Sequence, residues 1–268
     1  MGKLPTLTQI QSYCHYLYNY RNLLKSLIKK EFKGKFKHTT LGYLWHVINP
    51  LSQLIIYYIV FSAMFGSDVK NYWIYISTGM FAFSFISSCV VGGSVVITNN
   101  SKLITKMAFP RELLVFARVL SNLLTLCISY LVLSILILLT GSDISTSILF
   151  LLMMIPIYAT FTLGLALILS SVTVYIRDLT NASNVAMTCL MFATPIFYMT
   201  DYFDNPIVNV MWHINPLYYY IDAIHSCMYL SCIPSVDTIT LCIFLAILSI
   251  CVGLATFKKL EHHFAERL

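Results

Sequence analysis

The sequence predicts an all-α polytopic membrane protein with six transmembrane helices, an N-terminal amphipathic interfacial helix and a re-entrant segment between the last two spans. Three observations carry this. Of the 268 residues 58% are hydrophobic and 10% charged, where a soluble domain carries roughly 25% charged residues. Six apolar runs approach the ~20 residues a helix needs to cross a bilayer. All but Lys70 of the 17 Lys and Arg residues fall on one side of the threading those runs impose. Such a chain cannot clothe a water-facing surface of ordinary size, so its solvent is mostly lipid.

The spans are expected at about 44–65, 73–97, 113–140, 148–175, 185–199 and 239–257, the fifth being short. Brief polar connectors separate several of them: Gly66-Ser67-Asp68, Gly141-Ser142-Asp143 and Ile176-Arg177-Asp178. Residues 1–43 form a basic arm, 44–257 the transmembrane domain and 258–268 a tail. No cleavable leader pattern is visible in the first forty residues, so the first span is expected to act as the insertion signal.

Charge sets the orientation. Lys3, Arg21, Lys25, Lys29, Lys30, Lys33, Lys35 and Lys37 crowd the arm. Lys102, Lys106, Arg111 and Arg118 follow span two, Arg177 follows span four, and Lys258, Lys259 and Arg267 lie in the tail. Asp68, Asp143, Asp201, Asp204, Asp222 and Asp237 gather on the other side. The basic side is cytoplasmic, and an even number of spans puts both termini there. The net charge of +6 is therefore a topology signal, and no nucleic-acid partner is expected.

In the arm, Ile10, Tyr13, Cys14, Leu17, Tyr20, Leu24, Leu27 and Ile28 recur at helical spacing, with Lys25, Lys29 and Lys30 largely off that stripe. Such a helix lies in the headgroup plane or packs on another protein. Arg118 is expected to snorkel toward the headgroups. Residues 200–237 are too long for a turn and contain the aromatic run Pro216-Leu217-Tyr218-Tyr219-Tyr220-Ile221. A re-entrant or interfacial hairpin fits, since irregular backbone at membrane depth survives only against protein or a water-filled cavity. Cys89, Cys127, Cys189, Cys242 and Cys251 read as small core residues. Cys227 and Cys232 read as free thiols, a disulfide being awkward at that helical spacing.

Several chemistries are missing. No Asp or Glu falls in the central part of a span, which weighs against proton- or sodium-coupled carriers. There is no TVGYG filter and no G-x-x-x-x-G-K-[ST] phosphate loop. Driven transport would thus draw its energy from another polypeptide. His-Glu-x-x-His and Gly-x-Ser-x-Gly are also absent, so neither a metal site nor an enzymatic role is expected. His213, Asp222 and His225 read as solvated or structural groups, as does the His262-His263 pair.

Five stretches, in order, resemble a known family. They are Leu41-Gly42-Tyr43-Leu44-Trp45-His46-Val47-Ile48-Asn49-Pro50 after the basic Lys29-Lys30-Glu31-Phe32-Lys33; the run 98–112 ending Phe109-Pro110-Arg111-Glu112; Val174-Tyr175-Ile176-Arg177-Asp178-Leu179; Thr194-Pro195-Ile196-Phe197-Tyr198; and Asn215-Pro216-Leu217. Together they resemble the polysaccharide-exporting ABC permeases (Wzm-, TagG- and KpsM-like), most closely the O-antigen members. The resemblance implies an inner-membrane homodimer, two copies of a separate ATPase that holds ATP and Mg, and a lipid-linked polysaccharide as cargo. Teichoic-acid or capsular-polysaccharide export, or a membrane-embedded glycan or lipid transferase, are the alternatives.

Within that frame the connector 98–112 is the coupling element, with Asn100 or Ser101 capping a short helix and Pro110 and Glu112 opening span three. Lys102, Lys106, Arg111 and Glu112 are its candidate ATPase contacts. Aromatic faces suit sugar rings passing in many registers. Tyr57, Phe61 and Phe65 in span one, Phe81 and Phe85 in span two, and Phe192, Phe197 and Tyr198 in span five are the conduit candidates. Lipid-facing or interfacial roles are the alternative for each. Asn215, Pro216, Tyr218, Tyr219 and Tyr220 are the candidate outer gate, or a simple interfacial anchor.

Overall fold

A computed structural model describes residues 18–34, 39–65, 71–107, 109–140, 146–199 and 205–267. The connectors at 66–70 and 141–145, together with Lys3, Lys35, Lys37, Ile10, Tyr13, Cys14, Leu17, Asp201 and Asp204, lie outside the described residues. The described chain is helical: α1 (Arg21–Gly34), α2 (Trp45–Phe65), α3 (Tyr72–Ser94), α4 (Val96–Asn99), α5 (Ser101–Lys106), α6 (Glu112–Leu139), α7 (Ile148–Thr173), α8 (Leu179–Ala193), α9 (Pro206–Ile214), α10 (Pro216–Met228), α11 (Val236–Glu261) and α12 (Phe264–Arg267). Four of these, α3, α6, α7 and α11, are long and apolar enough to cross a membrane.

Helix α3 is the hub. Of its apolar window 72% is buried, against 22% for α11, because α2, α6, α7, α8 and α10 all pack on it. Its neighbours use its backbone as an acceptor. Tyr130 of α6 donates to the Thr78 carbonyl at 3.1 Å and Tyr158 of α7 to the Ala82 carbonyl at 3.0 Å. A phenol needs a partner when buried, and a helix carbonyl can accept a second bond. The interior hydroxyls turn back on their own helices: Thr78 to Ile74, Ser129 to Thr125 and Thr162 to Tyr158. Most interior hydroxyls are thus satisfied within their own helix; among the described residues the buried hydroxyls of Ser121 and Thr173 are left without a hydrogen-bond partner.

The tightest contact joins α7 to α11. A Cβ on Gly164 would lie 2.3 Å from the backbone of Ser249, and one on Gly253 would lie 2.5 Å from the Gly164 carbonyl. Ser249 donates to the Phe161 carbonyl at 2.8 Å. Small residues let the backbones approach where lipid supplies no hydrophobic drive to associate.

The fifth expected span differs from its reading. Instead of 185–199, α8 begins at Leu179 and ends at Ala193. Its first turns are polar, so hydropathy placed them outside. Ser183 bonds to the Leu179 carbonyl and Asn184 to that of Thr180, which lets the helix run through them. Pro195 then prevents its continuation.

The segment after α8 forms two short helices. Each opens on Asn-Pro: Asn205 accepts from the Ile207 amide at 2.9 Å and Asn215 from the Leu217 amide at 3.0 Å, with proline at the first helical position. Helix α10 buries Leu217, Tyr220, Ile221, Ile224 and Cys227 against α3 and α7. Cys227 and Cys232 are free thiols.

Gly164→Leu and Gly253→Leu each lower stability by about 1–3 kcal/mol through overpacking. Val252→Leu, beside them and 46% exposed, leaves it unchanged. Thermal unfolding of the purified chain in detergent measures both.

Candidate functional site

At the basic end of the bundle, α3 gives way to α4 and α5, with Asn100 between them at the N-cap position of α5. The Asn100 side chain does not cap α5. Its Nδ2 donates to the Val96 carbonyl at 2.8 Å, and its Oδ1 accepts from Lys30 Nζ of α1 at 3.0 Å. Lys102 and Lys106 are exposed on α5. Arg111 and Glu112 are placed differently from the two lysines. Arg111 donates through Nη1 to the Glu261 carbonyl and lies 5.9 Å over the Phe264 ring. Glu112 is buried, 4% exposed. The exposed lysines thus lie on the connector's surface, while Arg111 joins it to the end of α11 and Glu112 is enclosed beneath.

Helix α1 clamps this region. Leu27 is buried, and Leu23, Leu24 and Ile28 pack with it against the bundle, chiefly on α6. Arg118 of α6, expected to snorkel, instead pairs with Glu31 of α1, Nη1 to Oε2 at 2.8 Å. The partner that α1 supplies holds the guanidinium inside the joint. Gly92 of α3 makes room for it, since a Cβ there would lie 2.3 Å from Arg118 Nη2. Phe32 stacks on His46 of α2 at 3.9 Å. One amphipathic helix therefore touches α2, α6 and the connector.

Phe81 and Phe85 line a cleft of about 370 Å3 between α2, α3 and α6. Asn49, Gln53, Ser84, Ser88, Asn122 and Thr125 share its walls with Trp45. The lining is uncharged but rich in carboxamides and hydroxyls beside flat aromatic faces, a set that hydrogen-bonds and stacks on polyols. Ser84 and Ser88 are exposed and Ser87 half-exposed, all on one face of α3. A search for charged groups in the spans passes over this stripe. The i, i+3, i+4 spacing of three serines in an apolar helix is the signal that could have found it.

The other conduit candidates lie toward the opposite end. Tyr57 packs against Tyr72, Tyr75 and Ile76. Tyr72 donates to the Phe197 carbonyl, and Tyr75 to those of Pro195 (2.9 Å) and Tyr198 (3.0 Å). Tyr198 donates to the Phe192 carbonyl at 2.7 Å, and Phe192, 61% exposed, lies 6.2 Å from Phe197. The side chains of Phe61 and Phe65 lie outside the described residues. Tyrosines of α3 therefore hold the segment after α8 in an extended collar.

The gate candidates divide. Tyr218 and Tyr219 are half-buried in an aromatic cluster with Trp212 and His213. Asn215 is buried and donates through Nδ2 to Thr194 Oγ1 at 2.8 Å, and Pro216 is partly buried. Tyr220 is fully enclosed, its hydroxyl donating to the Cys242 carbonyl at 2.7 Å. His225 is buried too. Its Nε2–H faces the Tyr75 carbonyl at 3.1 Å, and its ring stacks on Tyr75 at 3.9 Å. It is a packing group.

Long apolar helices whose interior polar atoms are spent on one another, with short helices and lysines at one end, define an integral membrane protein. The chain belongs to the ABC-2 type transporter family, which matches residues 22–229. It is 26% identical over 253 residues to the O-antigen export system permease protein RfbA of Myxococcus xanthus, covering 94% of this chain and 97% of that one. Two proteins of the same name from Klebsiella pneumoniae are 28% and 27% identical over 248 and 251 residues. Each covers 92% of this chain and 95% of its own length.

Arg118→Met and Glu31→Gln each loosen the clamp, and the double variant loses less than their sum. The coupling is about 1 kcal/mol, because the two side chains remain 28% and 19% exposed. Additive losses in thermal unfolding would remove the pair from the account. In a background lacking the eight native cysteines, a membrane-impermeant maleimide labels Ser84→Cys and Ser88→Cys much faster than Ile86→Cys on the buried face.

Proposed function

We propose that this chain is the membrane-spanning permease subunit of an ATP-driven exporter that moves a lipid-linked, O-antigen-like polysaccharide from the cytoplasm across the inner membrane. The observation that carries the reading is the match to O-antigen export permeases along 92–94% of this chain and 95–97% of theirs. The uncharged, hydroxyl-lined cleft beside Phe81 and Phe85 supports a sugar as cargo. Six spans are proposed by adding two helices to the four long apolar ones. Helix α2, with 21 residues, is about 31 Å long, near the ~30 Å hydrocarbon thickness. Helix α8 has 15 residues, and the collar after it carries the path onward.

In this reading the basic end is cytoplasmic and both termini lie there. Two permeases form a homodimer over two copies of a separate ATPase, which holds ATP and Mg. The permease itself catalyses no reaction. Lys102 and Lys106 face the ATPase on α5. Arg111 and Glu112 relay its displacement to the end of α11, and Lys30 with Glu31 relays it through α1. A short helix bonded on two sides moves as a rigid body. Tyr218 and Tyr219, at the far end, close the path between export events, with Asn215, Pro216 and Tyr220 anchoring them.

A strain deleted for this chain accumulates lipid-linked glycan on the cytoplasmic side, and the wild-type chain clears it. Lys102→Glu combined with Lys106→Glu leaves the membrane level of the chain unchanged, lowers export at least ~tenfold and weakens co-purification of the ATPase, as loss of partner-facing charge pairs predicts. Full export by that variant would overturn the coupling assignment. Deletion without glycan accumulation would overturn the cargo.

A further inference from the structure

A second pocket, of about 330 Å3, lies at the basic end of the bundle, away from the serine-lined cleft. Five segments supply its polar lining: Thr98 from α4, Thr173 from the end of α7, Arg177 from the turn that follows, Thr180 from the start of α8 and Arg267 from α12. Among the described residues no carboxylate lines it. Asp178, next to Arg177 along the chain, is exposed and does not line it.

Arg177 and Arg267 are exposed, and one hydroxyl of the lining is buried without a partner. Thr173 is 2% exposed, yet its Oγ1 has no hydrogen-bond partner. Its neighbours show that this is a property of the position. Ser170 and Ser171, one turn earlier, turn back to the Leu167 and Ile168 carbonyls at 3.0 and 2.8 Å. An orphaned buried hydroxyl costs ~1–3 kcal/mol, a cost that a ligand oxygen in the pocket would remove. Arg177 makes no ion pair among the described residues, where Arg118–Glu31 is the one present. Thr180 Oγ1 lies 3.3 Å from Ser94 Oγ, whose own proton goes to the Val91 carbonyl at 2.7 Å.

Arg267 is brought there by a specific anchor. Phe264 is fully buried and meets Phe257 edge-on at 5.5 Å. Tyr175 donates to the Leu260 carbonyl at 2.9 Å, fixing the end of α7 to that of α11, and its ring lies 5.9 Å below the Arg267 guanidinium. The second arginine is thereby tied to the segment that carries the first.

Two guanidinium forks and several hydroxyls converging from different elements suit a tetrahedral oxyanion, which accepts in several directions and pairs with arginine bidentately. The pocket sits where the apolar helices end on the basic side, the depth at which lipid headgroups lie. We infer that this pocket binds a phosphoryl group, presented by the headgroup of an anionic membrane lipid. The inference is independent of the exported cargo, because it rests on the pocket alone.

Native mass spectrometry of the purified chain in detergent tests it with three probes: phosphatidylglycerol, diacylglycerol of the same chain length, and inorganic phosphate. A one-to-one phosphatidylglycerol adduct is expected, with diacylglycerol not retained. Arg177→Ala and Arg267→Ala each weaken that adduct about tenfold. Thr173→Val weakens it ~threefold, and Thr173→Ser restores it. Arg177→Lys keeps the charge but not the fork, and gives an intermediate affinity if the alanine variant fails to fold. Millimolar phosphate that competes with the lipid only when both arginines are present supports the same site with a soluble source. Lipid binding unchanged in both arginine variants, or diacylglycerol retained as well as phosphatidylglycerol, overturns the proposal.

Discussion

Every polar atom inside a bilayer must find its partner within the protein, because lipid offers none, and that constraint organises this molecule. Serine and threonine hydroxyls fold back on carbonyls three or four residues earlier, and tyrosines reach across to the carbonyls of a neighbouring helix. Tyr130 and Tyr158 pin α6 and α7 to α3 in this way, while Tyr220 pins α10 to α11. Each bond contributes only about 1 kcal/mol, but each also fixes a register. An apolar side chain can slide by one turn at little cost, whereas a phenol that must meet one carbonyl cannot.

The same rule locates the active parts as exceptions. Where hydroxyls and carboxamides stand open instead of closing on the backbone, as along Ser84 and Ser88, the surroundings have to be wet or occupied. Where a buried hydroxyl is left over, as at Thr173, something outside the chain is needed to complete it. The Arg118–Glu31 pair is a third case. Arg118 is partly enclosed in the joint beside its counter-ion on α1, so departure of α1 would leave the guanidinium without that partner. The helix is held by electrostatics as well as by its leucine stripe.

Much of this was legible in the sequence. Hydropathy placed the four long helices within a few residues, since uninterrupted apolar runs have one stable arrangement in lipid. The Asn-Pro pairs at 205 and 215 carry a helix-start signal, a fixed φ and a capping oxygen, that the reading of 200–237 as a hairpin did not use. Helix α8 was misjudged because Thr180, Asn181, Ser183 and Asn184 count as polar on any scale, although Ser183 and Asn184 spend their polarity on the preceding turn. The placement of Glu112, the pairing of Arg118 and the enclosure of Tyr220 were illegible for another reason. Each depends on a residue about twenty or more positions away, and periodicity along one helix carries no information about its partner.

Taken together, the two ends of the bundle are built on different physics. At the end carrying α9 and α10, aromatic rings stack and donate to the carbonyls of an extended collar, an assembly of many weak directional contacts that can exchange partners without exposing a charge. At the basic end the contacts carry charge: the Glu31–Arg118 ion pair and single charge-assisted hydrogen bonds from Lys30 to Asn100 and from Arg111 to the close of α11. Parting Glu31 from Arg118 separates two opposite charges, whereas unstacking two rings separates none. In the proposed coupling a displacement of α5 would reach α1 through Lys30–Asn100 and the close of α11 through Arg111, while the aromatic end would yield to it. Stiffness where force would enter and compliance where a path would open follow from which side chains the sequence places at each end.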